Sequence, residues 1–329
     1  MPQLDLFDDH DPADDRPELA ARLAPRLADL ARRGVWFGTS SWKYPGWLGS
    51  IYSPSRYEVR GKLSQKRFDT QCLREYAETF PLVGGDFSFY QFPSASYWDR
   101  LFGESPASLQ FALKVPEHVT VARWPGHARY GKRAGTDNPD FLDPRVLRTL
   151  LLRPLRPHAD RVAALMLEFG TFAKSVFGSV SDFLARLTPL LDAMADEPFR
   201  LAVEIRNPEY LGPAYFDALA QRNVAHLFNA WTRMPELVDQ IARPDAHTAD
   251  FLIARALLAR GRAYDDAVQA FEPYDHIQEP NPRAREALRH LAEMALDRKK
   301  PAFLLVNNRL EGHAPGTIEA VVESLPLSG

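Results

Sequence analysis

The sequence predicts an α/β chain folded as a TIM-like (β/α)₈ barrel, preceded by a flexible tail and a helix. Three observations carry that expectation. Eight short apolar runs follow one another along the chain, most of them separated by helical stretches. Each run is apolar in its middle, as strands buried on both faces are. No repeat or linker divides the chain after residue 34, and eight such units in 329 residues favour a closed barrel over an open doubly wound sheet.

Taken in order, residues 1–16 read as a flexible tail, because Asp8, Asp9, Asp11, Asp14 and Asp15 surround Pro12 and leave little to bury. Residues 17–34 read as a helix. Pro17 opens it, Leu19, Leu23, Leu27 and Leu30 recur at helical spacing, and Arg32, Arg33 and Gly34 close it. Pro25 interrupts the pattern and allows a kink. The barrel occupies 35–329. Its runs are Val35 to Thr39, Pro81 to Ser88, Gln110 to Val115, Val162 to Glu168, Arg200 to Ile205, Val224 to Phe228, Phe251 to Ala256 and Ala302 to Val306. Between them, Phe183, Leu184, Leu187, Leu190, Leu191 and Met194 form one amphipathic stripe, and Leu288, Leu291 and Leu296 another.

Composition bounds the function. A net charge of −3 advertises no global field for nucleic acid, though local patches can still supply one. The single cysteine, Cys72, excludes an intrachain disulfide and fits a reducing compartment. In a helical pattern it reads as an inert, half-buried thiol. No apolar run approaches membrane-spanning length and no signal-peptide core opens the chain, so a cytoplasmic location without a membrane partner is expected.

In such a barrel the active face lies at the C-terminal ends of the strands. Read there in order, the chain offers Ser40, Ser41 and Trp42, then Asp86 and Tyr90, Lys114, Glu168, Glu204 and Arg206, Asn229, Arg255, and Asn307 and Asn308. Lys114, Arg206 and Arg255 in one small cavity require an anionic partner, either protein carboxylates or a bound phosphate or carboxylate. Glu204 and Arg206, two residues apart, point to one side of a strand. Glu204 is therefore either a general base tuned by the cations or half of a structural ion pair. These four form the candidate catalytic set, with Trp42, Asp86, Tyr90, Asn307, Asn308 and His313 as binding candidates.

The loops above this ring are basic. Lys43, Arg56, Arg60, Lys62, Lys66 and Arg67 face only Glu58 in the first, and Arg123, Trp124, His127, Arg129, Tyr130, Lys132 and Arg133 make up the other. Cations interleaved with aromatics suit a polyanion with stackable bases. Metal and nucleotide signatures are absent: there is no HExxH, paired-cysteine zinc pattern, Walker loop or GxGxxG. Asp86, Glu168, Glu204 and His226 form a divalent-ion set only if the fold gathers them, since their spacing gives no support.

Several segments together resemble one family. Gly38-Thr39-Ser40-Ser41-Trp42 with Tyr44 and Trp47, Phe89-Tyr90 with Pro93-Ser94, Phe111 to Pro116, Glu204 to Pro208, Asn307-Asn308 and Gly312 to Pro315 resemble, in order, the motifs of the YecE-like family, a domain of unknown function. The resemblance implies a TIM-like barrel akin to xylose-isomerase-like barrels, the group of endonuclease IV, and supplies positions without a reaction. The chain departs from the family pattern at Gly84, where an acid is usual. Asp86 stands for Asn, Glu168 for Gln and Asn229 for Asp, and Ala256-Leu257 replace His-Gly.

Finally, Gln3-Leu4-Asp5-Leu6-Phe7 resembles the peptide with which bacterial proteins dock on the DNA sliding clamp. Extended, it offers an amide for hydrogen bonds and a Leu-Phe pair for an apolar pocket. Three readings follow: a DNA-associated barrel, hydrolase or repair factor, recruited by the clamp; a metabolic enzyme acting on a small phosphorylated or carboxylated sugar-like substrate; or a binding protein without chemistry.

Overall fold

The computed structural model describes residues 15–325. Its strands are β1 (Val35–Thr39), β2 (Leu82–Gly85), β3 (Gln110–Lys114), β4 (Val162–Glu168), β5 (Leu201–Glu204), β6 (Ala225–His226), β7 (Phe228–Ala230), β8 (Leu252–Ala256) and β9 (Ala302–Val306). All pairings among them are parallel, in the order β6-β5-β4-β3-β2-β1-β9-β8-β7. The strands β6 and β7 are two halves of one run joined through Leu227, so the edges of the sheet meet there and the α/β barrel closes. Every expected run contains a strand.

The closing run is handled by side chains where each half lacks a neighbour. Thr248 Oγ1 accepts from the His226 N–H at 2.7 Å and donates to the Val224 carbonyl at 2.7 Å. Gln240 Nε2 donates to the Asn229 carbonyl at 2.8 Å, and Asn229 Nδ2 donates to the Ile205 carbonyl at 3.1 Å. These bonds satisfy backbone groups that an interrupted ladder would otherwise bury unpaired. The second run is shorter than expected: the chain turns after Gly85, with the Phe89 N–H on the Asp86 carbonyl at 3.0 Å.

Alternation along the strands sorts two cores. Inside the barrel, Leu82, Ala112, Met166, Ala202, Leu227, Ile253 and Leu305 pack over Phe251 and Phe303, with Trp36 against them. The larger core lies between barrel wall and helices. A Cβ on Gly38 would stand 1.9 Å from the Leu82 carbonyl oxygen, so β1 and β2 approach closely only because Gly38 has no side chain.

The helices α1 (Glu18–Arg32), α2 (Gln65–Thr79), α3 (Ala95–Glu104), α4 (Val180–Ala193), α5 (Pro213–Ala220), α6 (Pro282–Arg298) and α7 (Ala314–Glu323) belong to the outer layer. α1 runs through Pro25 as one helix and buries Ala20, Leu23, Leu27 and Leu30 against β1, α2 and α7. The two expected stripes bury Phe183, Leu187, Leu190 and Leu191 on α4 and Leu288 and Leu291 on α6. Cys72 is fully buried on α2, which pushes its thiol up to about 12. Among the described residues no helix is long and apolar enough to cross a membrane.

Candidate functional site

At the strand ends the barrel interior turns from apolar to charged. Lys114 ends β3, Glu168 ends β4, Glu204 ends β5 with Arg206 two residues on, and Arg255 lies on β8. Glu168 is the hub. It takes Lys114 Nζ at 2.9 Å, Arg206 at 2.8 Å and Arg255 at 2.7 Å. Glu204 takes Arg206 at 3.2 Å through one oxygen and Arg255 through the other. Lys114 also reaches Asp86 at 3.0 Å. Three cations thus face three carboxylates, and the anionic partners that the cations require come from the protein itself.

The electrostatics follow from that packing. Burial alone would raise the Glu168 carboxyl, but Lys114, Arg206 and Arg255 outweigh it and hold the group well below the usual carboxylate range. Burial would lower the Arg255 guanidinium; Glu204 and Glu168 overcome it and hold the charge firmly. Glu204 is 0% exposed and both its oxygens are engaged by arginines. Proton abstraction by Glu204 therefore requires Arg206 or Arg255 to move first. The group nearest solvent is Asp86, whose side chain is 51% exposed.

Around this floor, arginines lie over aromatic rings on the loops that follow the strands. Arg129 sits 4.8 Å from the Tyr90 ring and 4.7 Å from Tyr130; Arg133 is 4.5 Å from Trp124. Arg206 stacks at 3.8 Å on Trp231, and Arg309 at 4.3 Å on Tyr264. Tyr90 is 61% exposed. The basic loops are partly neutralised: Arg129 pairs with Glu117 at 3.3 Å, Arg123 with Asp137 at 3.7 Å and Arg56 with Glu78 at 2.8 Å.

A sequence profile described as "Protein of unknown function DUF72" matches residues 36–329. The chain belongs to the DUF72 family. Two solved DUF72 structures share its fold. One, from Enterococcus faecalis V583, has 16% identity and a TM-score of 0.58, covering 90% of this chain and 96% of that one. The other, from Thermotoga maritima MSB8, has 19% identity and a TM-score of 0.56, covering 87% and 96%. No curated protein matches the chain.

Seen on the fold, the candidate residues divide between the ring and its scaffold. Lys114, Glu204, Arg206, Arg255 and Asp86 come together as one ion-pair network, and Tyr90 stands on its rim. Asn307 and Asn308 follow β9 but act as caps: their side-chain oxygens accept from the N–H groups of Arg309 at 3.0 Å and Ala314 at 2.8 Å. His313 is the N-cap of α7, accepting from Gly316 at 3.2 Å, and burial pushes its imidazole down to about 4. Trp42 packs edge-on against Phe87 and lines a groove between α2 and α3. A Cβ on Gly84 would meet Ser40 Cα at 3.1 Å, which leaves little room for a side chain there.

The divalent-ion set does not form. Among the described residues no three His, Cys, Asp or Glu side chains converge as metal ligands. Asp86, Glu168 and Glu204 face cations, while His226 packs outside the barrel wall on Tyr215, Phe216 and Phe228. Burial there pushes it down to about 3, so it is a neutral core histidine. Trp231 and Phe89, the latter 4.9 Å below Lys114, belong to the site; from sequence, Phe89 stood out only within a family motif and Trp231 not at all. Their signal was an aromatic within a few residues of a strand end. The pentapeptide Gln3 to Phe7 lies outside the described residues.

Proposed function

We propose that the strand-end face of this DUF72 protein binds single-stranded nucleic acid, with bases on the aromatic rim and phosphates on its arginines. The observation that carries the reading is Tyr90, a solvent-exposed ring beside Arg129 in the loops above a charged barrel floor. An exposed aromatic flanked by cations is the arrangement that stacks bases without choosing among them. The buried network gives that face a fixed floor. Because Glu168 and Glu204 are held by arginines, we assign binding and no hydrolytic step.

Fluorescence anisotropy with a labelled oligothymidylate tests this directly. Binding should weaken as salt rises, and Tyr90→Ala should lower affinity by about tenfold, the cost of one lost base stack. Equal binding of a sulfated polysaccharide, which has charge and no bases, would overturn the stacking role. No binding at high protein concentration would overturn the reading altogether.

One observation favours a second reading, a small phosphorylated or carboxylated substrate. Asp86 is the half-exposed partner of the buried Lys114, so a ligand's anionic group has an exchangeable carboxylate to replace. Asp86→Asn should then tighten binding of inorganic phosphate, whereas Lys114→Met should abolish it. For recruitment, we propose that Gln3, Leu4, Asp5, Leu6 and Phe7 dock on a DNA sliding clamp. Loss of clamp binding in Leu6→Ala/Phe7→Ala is the expected result.

A further inference from the structure

A cavity of about 880 Å³ lies outside the barrel, between α2 and α3. That volume is in the range of sites that hold a small ligand or a short peptide. Leu73, Tyr97 and Leu101 give it apolar surface, and Lys43, Arg74 and Arg100 stand around it with Asp69 and Glu104. Lys43 rests over Trp42 at 5.7 Å and Arg100 over Tyr97 at 5.9 Å. Among the described residues, neither these two nor Arg74 forms an ion pair with a carboxylate. The groove thus mixes apolar and polar surface, and three of the cations around it have no carboxylate partner among the described residues.

We propose that residues 1–14 of the same chain dock in this groove, with Leu4, Leu6 and Phe7 on the apolar surface and the aspartates against the cations. Charge favours it: the segment carries Asp5, Asp8, Asp9, Asp11 and Asp14 and no lysine or arginine. The point where the segment joins the body favours it as well. Ser53 Oγ donates to the Asp15 carbonyl at 2.8 Å, and Arg16 donates to the Glu78 carbonyl of α2 at 2.6 Å. Arg74 stands four residues before Glu78, one turn along the same helix face. Residues 8–14, extended, span up to about 25 Å, enough for Phe7 to cross from that turn into the groove.

The docked segment hides the pentapeptide offered above to a clamp, so docking and recruitment exclude each other. The groove proposal stands without the clamp: its test uses none, and a failure of clamp docking leaves it untouched. Spin labels are placed on the full chain at Asp9→Cys and Gly103→Cys. Gly103 is exposed with open space around it, and the native Cys72 is buried from reagent. Pulsed dipolar spectroscopy should give a narrow, short distance distribution. It should broaden on adding Leu6→Ala/Phe7→Ala, and also on adding Arg74→Glu/Arg100→Glu. A broad distribution in the labelled parent overturns the proposal, and so does a narrow one that neither pair of changes affects.

Discussion

At the strand starts the barrel is filled by Trp36 stacked on Phe303 at 5.1 Å, with Phe251 alongside and Arg200 near both phenylalanine rings. At the other end of the strands it is filled by Lys114, Glu168, Glu204 and Arg255, all buried. The first filling stabilises the fold simply by keeping apolar area from water. The second removes charges from water at a cost that mutual pairing roughly offsets. One end of the interior accounts for stability; the other has a composition that stability alone does not call for. In barrels of this architecture that charged end is where ligands meet the protein.

Removing one charge, and then a balanced pair, should separate the two ends most strongly. Arg255→Ala leaves Glu168 and Glu204 short of a buried partner and should cost about 3–5 kcal/mol of stability, read by urea denaturation. Glu168→Leu with Arg255→Leu leaves Glu204 with Arg206 and Asp86 with Lys114. That double variant should recover most of the loss, or exceed the parent, because apolar replacement of a buried pair is often neutral or stabilising. A double variant as unstable as Arg255→Ala would mean that the charged end is itself a structural keystone. Phe303→Ala, at the apolar end, should cost about 3–5 kcal/mol, with no such compensation available.

Acid separates the regions next. His226 and His313 have imidazoles held down to about 3 and about 4 from 6.5. Each favours the fold fully above pH 6.5, and that stability is lost as pH falls from 6.5 toward the folded values. Glu168 is held below the ordinary carboxylate value of about 4.3, so its contribution is present above that value and disappears only as pH falls through the lower folded one. Melting temperature should therefore decline in two stages. His226→Phe should flatten the upper stage and the Glu168→Leu/Arg255→Leu variant the lower. A single stage unchanged by either would contradict the assignment.

How much of this was visible beforehand differs between the same two regions. The eight runs were legible because a strand buried on both faces is a continuous apolar run. The break at Leu227 was not, since it depends on Thr248 and Gln240 arriving from elsewhere in the chain. Lys114, Glu204, Arg206 and Arg255 were legible as polar residues ending apolar runs. An ion pair between Glu204 and an arginine was one of the two readings open there; the hub was not legible, because Glu168 meets partners from three other strands or strand ends, and only the barrel's curvature sets those distances. Asn308 and His313 read as ring members by position but serve as caps. The Ala314-Pro315 that follows His313, with Pro early in the helix, was the available signal. Trp42 sits past the end of β1, where strand alternation no longer says which way a side chain points.

At the mouth of the barrel, packing and charge meet at Trp231. Trp231 is half-buried and carries Arg206 at 3.8 Å, while Arg206 simultaneously reaches Glu168 and Glu204. The ring fixes the guanidinium from the side the carboxylates leave open. Trp231→Ala removes a cation–π contact worth roughly 0.5–2 kcal/mol and frees Arg206 without unpairing it. Stability should fall by about that amount, less than for Arg255→Ala inside the network, and Trp231→Phe should restore much of it. The contact is electrostatic at its core, yet the pair is largely shielded from solvent, so the loss should change little between low and high salt. A loss of 3 kcal/mol or more would show that Trp231 holds the network together, and the mouth and floor of the site would then have to be treated as one unit.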